Sequence, residues 1–454
     1  MKKTTWKRRE FLGAAGAAAA AVTIVPRHAV AKSGKNPPSE KLNIAGIGIG
    51  GMGRGDVGAV AGGNNMVALC DVDWGYAAGA FKDHPKAERF RDFRKMFDKL
   101  DKHIDAVVVG TPDHNHAATS IAAMQHGKHV YCEKPLAHSI AECRAMVKAA
   151  QEHKVVTQMG NQGHSFETCR MFVEWIRDGA IGNVHTIHCG ATPMCSGIDR
   201  LSDLQKEWKV PELLDWDLWL GPTRKRPYCP AFLPGAWRGW VQFGNGTIGD
   251  WACHVVDPVF WALDLGAPQT VVCEEPGYDI KTQGEAFPKG DKITFEFPAK
   301  GAVPGTPGRG PITLHWYSGS VPIPRPADLE PGRKAVETGA VVLGDRGTII
   351  YGSHGAGGVR IIPEAKMQAY KPPPKSIPRA KEHHQDWLDA IRTGRKAGSD
   401  FSYGAALSEV ALVGVIAGRF PGVKLQWDSE NMTFTNSPEA TALVTPQYRP
   451  GWSM

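Results

Sequence analysis

The stretch Leu42-Asn-Ile-Ala-Gly-Ile-Gly48-Ile-Gly50-Gly51-Met52-Gly53-Arg54 constrains the fold more than any other part of the 454-residue chain. An apolar run, Leu42 to Ile47, passes directly into glycines and then into a segment able to open a helix. In that strand-turn-helix setting a G-x-G-x-x-G sequence can cradle a pyrophosphate, because the helix N-terminus faces the phosphate charge and no Cβ blocks the backbone. Two registers fit, Gly46/Gly48/Gly51 and Gly48/Gly50/Gly53; the second lets the strand run its full length. Gly48 then makes the tight turn, Gly50 admits the phosphates and Gly53 lets helix and strand pack closely, with Gly51 and Met52 in the same turn. The next strand, Asn65 to Cys70, ends at Asp71, 23 residues after Gly48, where an acid accepts hydrogen bonds from the adenosine ribose. A carboxylate there repels a 2′-phosphate and favours NAD over NADP, although Arg54 could accommodate a phosphate. Asp73 is expected to cap the following helix.

Alternation continues. Ile104 to Gly110 reads as a strand, followed by Thr111-Pro112-Asp-His-Asn-His116 and a helix from Ala117 to His126. His129 to Cys132 is the next strand, ending in Glu133-Lys134-Pro135 before a helix to about His153. Strands separated by single helices define an α/β domain with a doubly wound parallel sheet, whose ligands sit beyond the strand carboxyl ends. Asp71, Thr111 and Glu133-Lys134-Pro135 share that rim. Farther on, strand-like runs at 184–189, 292–297, 312–317 and 347–351 with few helices between them point to a largely antiparallel sheet in a second, α+β domain. The Pro- and Gly-dense stretch 298–331 reads as a surface excursion interrupted by one strand.

The glycine loop, the T-P-x-x-x-H segment (Thr111, Pro112, His116), Glu133-Lys134-Pro135 and Gly246-Thr-Ile-Gly-Asp250-Trp-Ala-Cys-His254 occur in the order found in the glucose-fructose oxidoreductase/inositol dehydrogenase (Gfo/Idh/MocA) family, which the chain resembles from about Lys41 to Arg419. The resemblance implies a Rossmann domain over 41–160 and a substrate-binding and oligomerisation domain over 161–430. A helix near 383–393 packs back on the first domain, and 431–454 is an extension. It further implies that Gly48, Gly50, Gly51, Met52, Gly53, Asp71, Thr111, Pro112, His116, Glu133, Lys134 and Asn161 bind the dinucleotide, with no metal. Homo-oligomers would form through the second sheet.

Elementary chemistry supports the same catalytic residues. Oxidising a secondary alcohol removes a hydride and a proton, so the site needs a base and a cation for the developing alkoxide. Lys134 can supply the cation. Asp250 and His254 stand at i and i+4 on one helical face; His254, ordinarily titrating near neutrality, is the candidate base and Asp250 the group that orients substrate and balances charge. Where the family often has Gly two residues before the His, this chain has Ala252, which bears on substrate shape. Asn161 and Gln162 offer amides to nicotinamide and sugar hydroxyls. Trp, Tyr and Arg between Trp216 and Trp240 suit a carbohydrate, with Tyr228 and Arg238 as its polar contacts.

The net charge of +7 suggests an anionic partner until its position is considered. Residues 1–31 hold six basic residues against Glu10, and the remainder is nearly balanced at +2, which gives no support for a nucleic-acid or polyanion binder. Lys7-Arg8-Arg9-Glu10-Phe11-Leu12, an apolar run from Gly13 to Val25 and Ala29-Val-Ala31 resemble a twin-arginine export signal, followed by a linker at 32–40. The apolar run is shorter than the roughly 20 residues of a membrane-spanning helix. Nine scattered cysteines without a C-x-x-C pair suggest neither a disulfide framework nor a zinc site. The expectation is therefore a periplasmic or otherwise exported NAD-dependent oxidoreductase. It would act on a sugar, polyol or glycoside, with a tightly held, recycled cofactor loaded before passage through the twin-arginine machinery. The alternatives are a glycosidase working by transient C3 oxidation and elimination, with His164, Tyr228 or His383 as the added base, and a sugar-binding protein with structural NAD.

Overall fold

The computed structural model describes residues 41–274 and 278–454. The segments read as an export signal and linker lie outside the described residues. Six strands, β1 (Asn43–Ile47), β2 (Asn65–Cys70), β3 (Glu88–Phe90), β4 (Ala106–Val109), β5 (His129–Glu133) and β6 (Thr157–Gly160), form a parallel sheet in the order β3-β2-β1-β4-β5-β6. All four residues of β4 are buried, as in a strand covered by helices on both faces. The chain leaves β1 toward β2 and β3 on one side and then crosses back to β4 on the other. A crevice opens where these directions diverge, outside the carboxyl ends of β1 and β4.

The helix expected from Ala117 starts earlier, at Asp113, and runs to Gln125. Pro112 is extended and directly precedes it, and Asp113 places a carboxylate in the first turn, where the helix dipole favours negative charge. Its start is hidden in the sequence because Asp113, His114, Asn115 and His116 are polar yet buried. The second domain covers them: the two ring nitrogens of His114 lie 3.2 and 2.9 Å from the carbonyl oxygens of Phe243 and Trp219.

The second sheet has nine strands: β7 (Val184–Ala191), β8 (Thr270–Glu274), β9 (Gly290–Phe297), β10 (Ile312–Gly319), β11 (Gly339–Gly344), β12 (Thr348–Gly352), β13 (Arg360–Ile362), β14 (Leu425–Asp428) and β15 (Thr433–Phe434). In the order β13-β12-β11-β7-β10-β9-β8-β14-β15 every neighbouring pair is antiparallel except β7 and β10. Five of these strands escape a pattern reading. In β11, Gly-Ala-Val-Val-Leu-Gly, the first four residues are all buried and no alternation marks it.

Two late helices join the domains. The Phe401–Ala417 helix, capped by Asp400, is buried on nearly every side and packs against the Ile140–Glu152 helix of the first domain and the Gly246–Val255 helix of the second. Such all-round burial is what its all-round apolar sequence requires. The His383–Thr393 helix lies on the Gly51–Ala61 helix, with Trp387 fully buried beside Val57, Val60 and Tyr131. No helix among the described residues is long and apolar enough to cross a membrane.

Candidate active site

The glycine turn has the Gly48/Gly50/Gly53 register. Gly48 follows β1 with a φ of +73°, and Gly50 precedes the Gly51–Ala61 helix, whose N-terminus no side chain caps. A Cβ on Gly53 would lie 2.0 Å from the Gly48 carbonyl oxygen. Gly53→Ala is therefore expected to push helix from strand, lower the thermal midpoint and weaken dinucleotide affinity at least roughly tenfold, an overpacking effect of about 1–3 kcal/mol; titration with NAD checks it. Asp71 fixes the loop from β2: its Oδ2 accepts from Ile49 N at 2.8 Å and Gly50 N at 3.2 Å, and its Oδ1 accepts from Asp73 N at 2.9 Å. Burial pushes its carboxyl up to about 6. Asp73 does not cap the next helix; it accepts from Tyr76 N in the turn before it. Arg54 is paired with Asp83 at 2.7 Å on the exposed surface.

The loop opens on a cleft with about 1140 Å³ of empty space, its solvent-facing part included. Asp71, Thr111, Pro112, Glu133, Lys134 and Arg238 are among its walls, and half-exposed Met52 stands at its edge. The residues fit a dinucleotide: a turn that tolerates no Cβ, an uncapped helix end, and two buried polar atoms without partners, Thr111 Oγ1 and Asn161 Nδ2. The Asn161 carbonyl oxygen of the amide is already engaged by Ser399 Oγ at 2.6 Å.

At the far end of the cleft three charges meet. Lys134 Nζ, just past β5, lies 2.6 Å from Asp250 Oδ1 and 2.9 Å from the Asp250 carbonyl oxygen, and Arg238 Nε approaches the same Oδ1 to 2.7 Å. Burial opposes every one of these charges, but the pairing prevails: the Asp250 carboxyl is held well below its usual range, and the Lys134 and Arg238 pKa values lie above theirs. One turn on, His254 is buried, with Nδ1 unpartnered and its ring 4.1 Å from that of His354. Burial, reinforced by the nearby Lys134 and His354, drives its pKa well below 6.5, so it is a neutral imidazole at pH 7. The cleft wall itself ends at Lys134 and Arg238.

Several expected contacts lie elsewhere. Gln162 does not project toward substrate; its Nε2 donates to Tyr131 Oη at 3.0 Å and Glu133 Oε1 at 2.7 Å. Glu133 is buried with its pKa raised to about 8, by burial first and then by Asp56. His116 ties two rim loops together, its ring nitrogens 2.9 and 2.8 Å from the Pro135 and Thr111 carbonyl oxygens. Tyr228 packs edge-on against Trp216, away from the cleft wall. His164 is buried with Nδ1 3.0 Å from Asp257 and His383 bridges Met159 O and Ser165 Oγ, and neither lines the cleft. Two residues at the site were not anticipated. Asp113 lines the cleft within the T-P-x-x-x-H segment and accepts from Asn245 Nδ2 at 3.0 Å; its place in the motif was the available signal. His354 sits in a Gly-rich loop after β12, and only the fold brings it to His254.

A parallel nucleotide-binding sheet and a second sheet domain, meeting at a buried lysine-aspartate pair, define the two-domain class of NAD-binding oxidoreductases. Residues 42–161 match the NAD-binding Rossmann model of the Gfo/Idh/MocA oxidoreductase family, and residues 198–297 match its C-terminal alpha/beta model. Among curated relatives, a 2,7-anhydro-N-acetylneuraminate hydratase of Mediterraneibacter gnavus is 32% identical over 145 residues, 32% of this chain and 37% of the relative. A levoglucosan dehydrogenase of Pseudarthrobacter phenanthrenivorans is 29% identical over 167 residues, 37% of this chain and 34% of that protein. The chain thus spans about a third of the length of these relatives. The fold is that of the WlbA dehydrogenase from Bordetella pertussis, solved with NADH and UDP-GlcNAcA, at TM-score 0.59, 18% identity, and coverage of 86% of this chain and 99% of that one. An inositol dehydrogenase homologue from Azotobacter vinelandii, solved with NADH and myo-inositol, gives TM-score 0.55 at 16% identity, covering 85% of this chain and 98% of that one.

Proposed function

We propose that the protein transfers hydride between a bound NAD and a secondary hydroxyl of a sugar, polyol or glycoside. The observation that carries this reading is the Lys134-Asp250-Arg238 cluster at the end of the nucleotide cleft. When bound, NAD supplies the hydride acceptor at its nicotinamide. Lys134 donates a hydrogen bond to the reacting oxygen and stabilises its developing negative charge. Asp250 keeps Lys134 charged and aimed, and Arg238 shares that carboxylate while facing the cleft as a second donor for substrate oxygens. The neutral imidazole of His254 accepts the hydroxyl proton. Its depressed pKa makes it a modest base, so lowering the alcohol's own pKa through Lys134 matters more than basicity. The glycine turn, Asp71 and Thr111 hold the dinucleotide, and Asn161 Nδ2 is the donor available to its carboxamide.

A second reading is a redox-neutral route: oxidation at C3 acidifies the C2 proton, elimination and water addition follow, and the hydride returns. His354 favours it, because it supplies a second imidazole beside His254, in the place of the buried His164 and His383. The hydratase among the relatives is in keeping with such chemistry. Both readings suit a cofactor that is loaded in the cytoplasm, carried through the twin-arginine route and recycled outside, with copies of the chain associating through the second sheet.

Purified protein incubated with a panel of polyols, aldoses and aryl glycosides distinguishes them. Net nicotinamide reduction by a polyol or aldose supports the dehydrogenase, and aglycone release without net reduction supports the redox-neutral route. Heat-released nucleotide should contain NAD(H); folded protein that neither carries nor binds it would refute both.

A further inference from the structure

The dinucleotide reading leaves one wall of the cleft unexplained. With the phosphates at the glycine turn and the ribose acid at Asp71, the adenosine half lies over the β2 side of the sheet. The residues lining the cleft there include Val72, Arg91, Phe93, Trp219 and Trp452. Trp452 comes from the segment 446–454, far beyond the residues that the family models match. It is partly buried, its ring centroid 6.0 Å from that of Phe93, with the Arg94 guanidinium 4.7 Å above it.

The segment that delivers this ring is pinned at several points. Arg449 places Nη1 2.7 Å from Asp217 Oδ1, Nη2 2.6 Å from the Asp217 carbonyl oxygen and Nε 2.5 Å from that of Gly221. Its backbone N–H donates to Pro222 O at 3.0 Å, and the Tyr448 hydroxyl donates to buried Glu142 at 2.5 Å. Trp452 N closes the turn on Arg449 O at 3.3 Å. A stretch without regular secondary structure is thus held at both domains, and its large flat side chain is presented to a nucleotide cleft.

We propose that residues 446–454 form a clasp over the adenosine half of the site, with the Trp452 ring as a stacking wall for adenine and Arg449 as its pin. The proposal rests on the NAD reading above and deepens it. Adenine offers a π-face that an indole can cover, and loss of one such base-aromatic contact weakens binding roughly ten- to hundredfold. Asp217 and Glu142 hold the clasp in place, so nucleotide release should be slower with these contacts than without them.

The test is calorimetric titration of nucleotide-free, full-length protein with NAD, ADP and nicotinamide mononucleotide. Trp452→Ala should weaken ADP and NAD ten- to hundredfold and leave the mononucleotide unchanged, and Trp452→Phe should recover most of the loss. Arg449→Ala, which leaves the ring intact, should produce the same selective loss, together with faster release of bound NAD on gel filtration. Wild-type affinity for ADP in both alanine variants would overturn the proposal, as would equal weakening of ADP and the mononucleotide, the pattern of a merely structural defect. Wild-type protein that binds neither NAD nor ADP would instead refute the dinucleotide reading, and the clasp with it.

Discussion

Lys134→Ala is expected to lower the rate of hydride transfer roughly 10²- to 10³-fold, the effect of removing one preorganised donor from a site where negative charge develops. The ammonium faces the cleft, and Arg238, which also lines it, reaches Asp250 from a different element and does not occupy the same position. Single-turnover reduction of bound NAD by the best substrate from the panel measures the loss, and an unchanged rate would remove Lys134 from the chemistry. The pH dependence of the residual activity carries a signature. After burial, Lys134 is the largest influence depressing the His254 pKa, so deleting it should raise that pKa toward the ordinary value. In wild-type protein His254 remains neutral well below pH 6.5, and activity should persist into mildly acidic solution. In the variant the acid limb should move to higher pH, because the imidazole protonates earlier and loses its capacity to accept. Nucleotide content should change little, since the glycine turn and Asp71 lie apart from Lys134.

Asp250→Ala should produce the largest loss of stability, about 3–5 kcal/mol, because it leaves two buried cations without their shared carboxylate. Asp250→Asn keeps the shape and loses the charge, and should cost nearly as much. Lys134→Met should cost less, since Asp250 retains Arg238 at 2.7 Å. Urea denaturation of the three variants checks this ranking, and a midpoint for Asp250→Asn equal to wild type would show that the cluster contributes nothing to folding. The pH sign follows from the depressed carboxyl: its stabilisation is full above the ordinary aspartate value near ~4 and is lost only as the pH falls through the lower, folded-state value.

The first domain was legible because its constraints are local. Gly48, Gly50 and Gly53 must be glycine for reasons of backbone approach, and β4 is apolar because it is covered on both faces. Lys134, Asp250 and His254 could be singled out because strand-end position and i, i+4 spacing are visible in one dimension and coincide with motifs of the family the chain resembles. Arg238 was chosen for carbohydrate contact and lies in the cleft wall, but its pairing with Asp250 depends on a turn that no periodicity announces. His354 and Trp452 were not legible at all. Each is an isolated residue in an irregular segment, brought to the site by long-range packing. Tyr228 and Gln162 illustrate the converse: their chemistry suited a sugar, but Tyr228 packs on Trp216 away from the cleft wall and Gln162 donates to Glu133 within the protein.

The placement of the His383–Thr393 and Phe401–Ala417 helices bears on the order in which a newly made chain matures. Trp387 completes the packing around Val57 and Tyr131, and Thr157 Oγ1 accepts from Phe401 N, so parts of the outer layer of the nucleotide domain are encoded more than two hundred residues after its last strand begins. The early sheet can form as soon as it leaves the ribosome, but it keeps an uncovered flank until nearly the whole chain has been synthesised. Completion of the nucleotide domain's outer layer then belongs to the finished molecule and not to its first domain alone. A domain whose packing is closed only by the far end of its own chain has, in that same requirement, a means of distinguishing a finished molecule from a partial one.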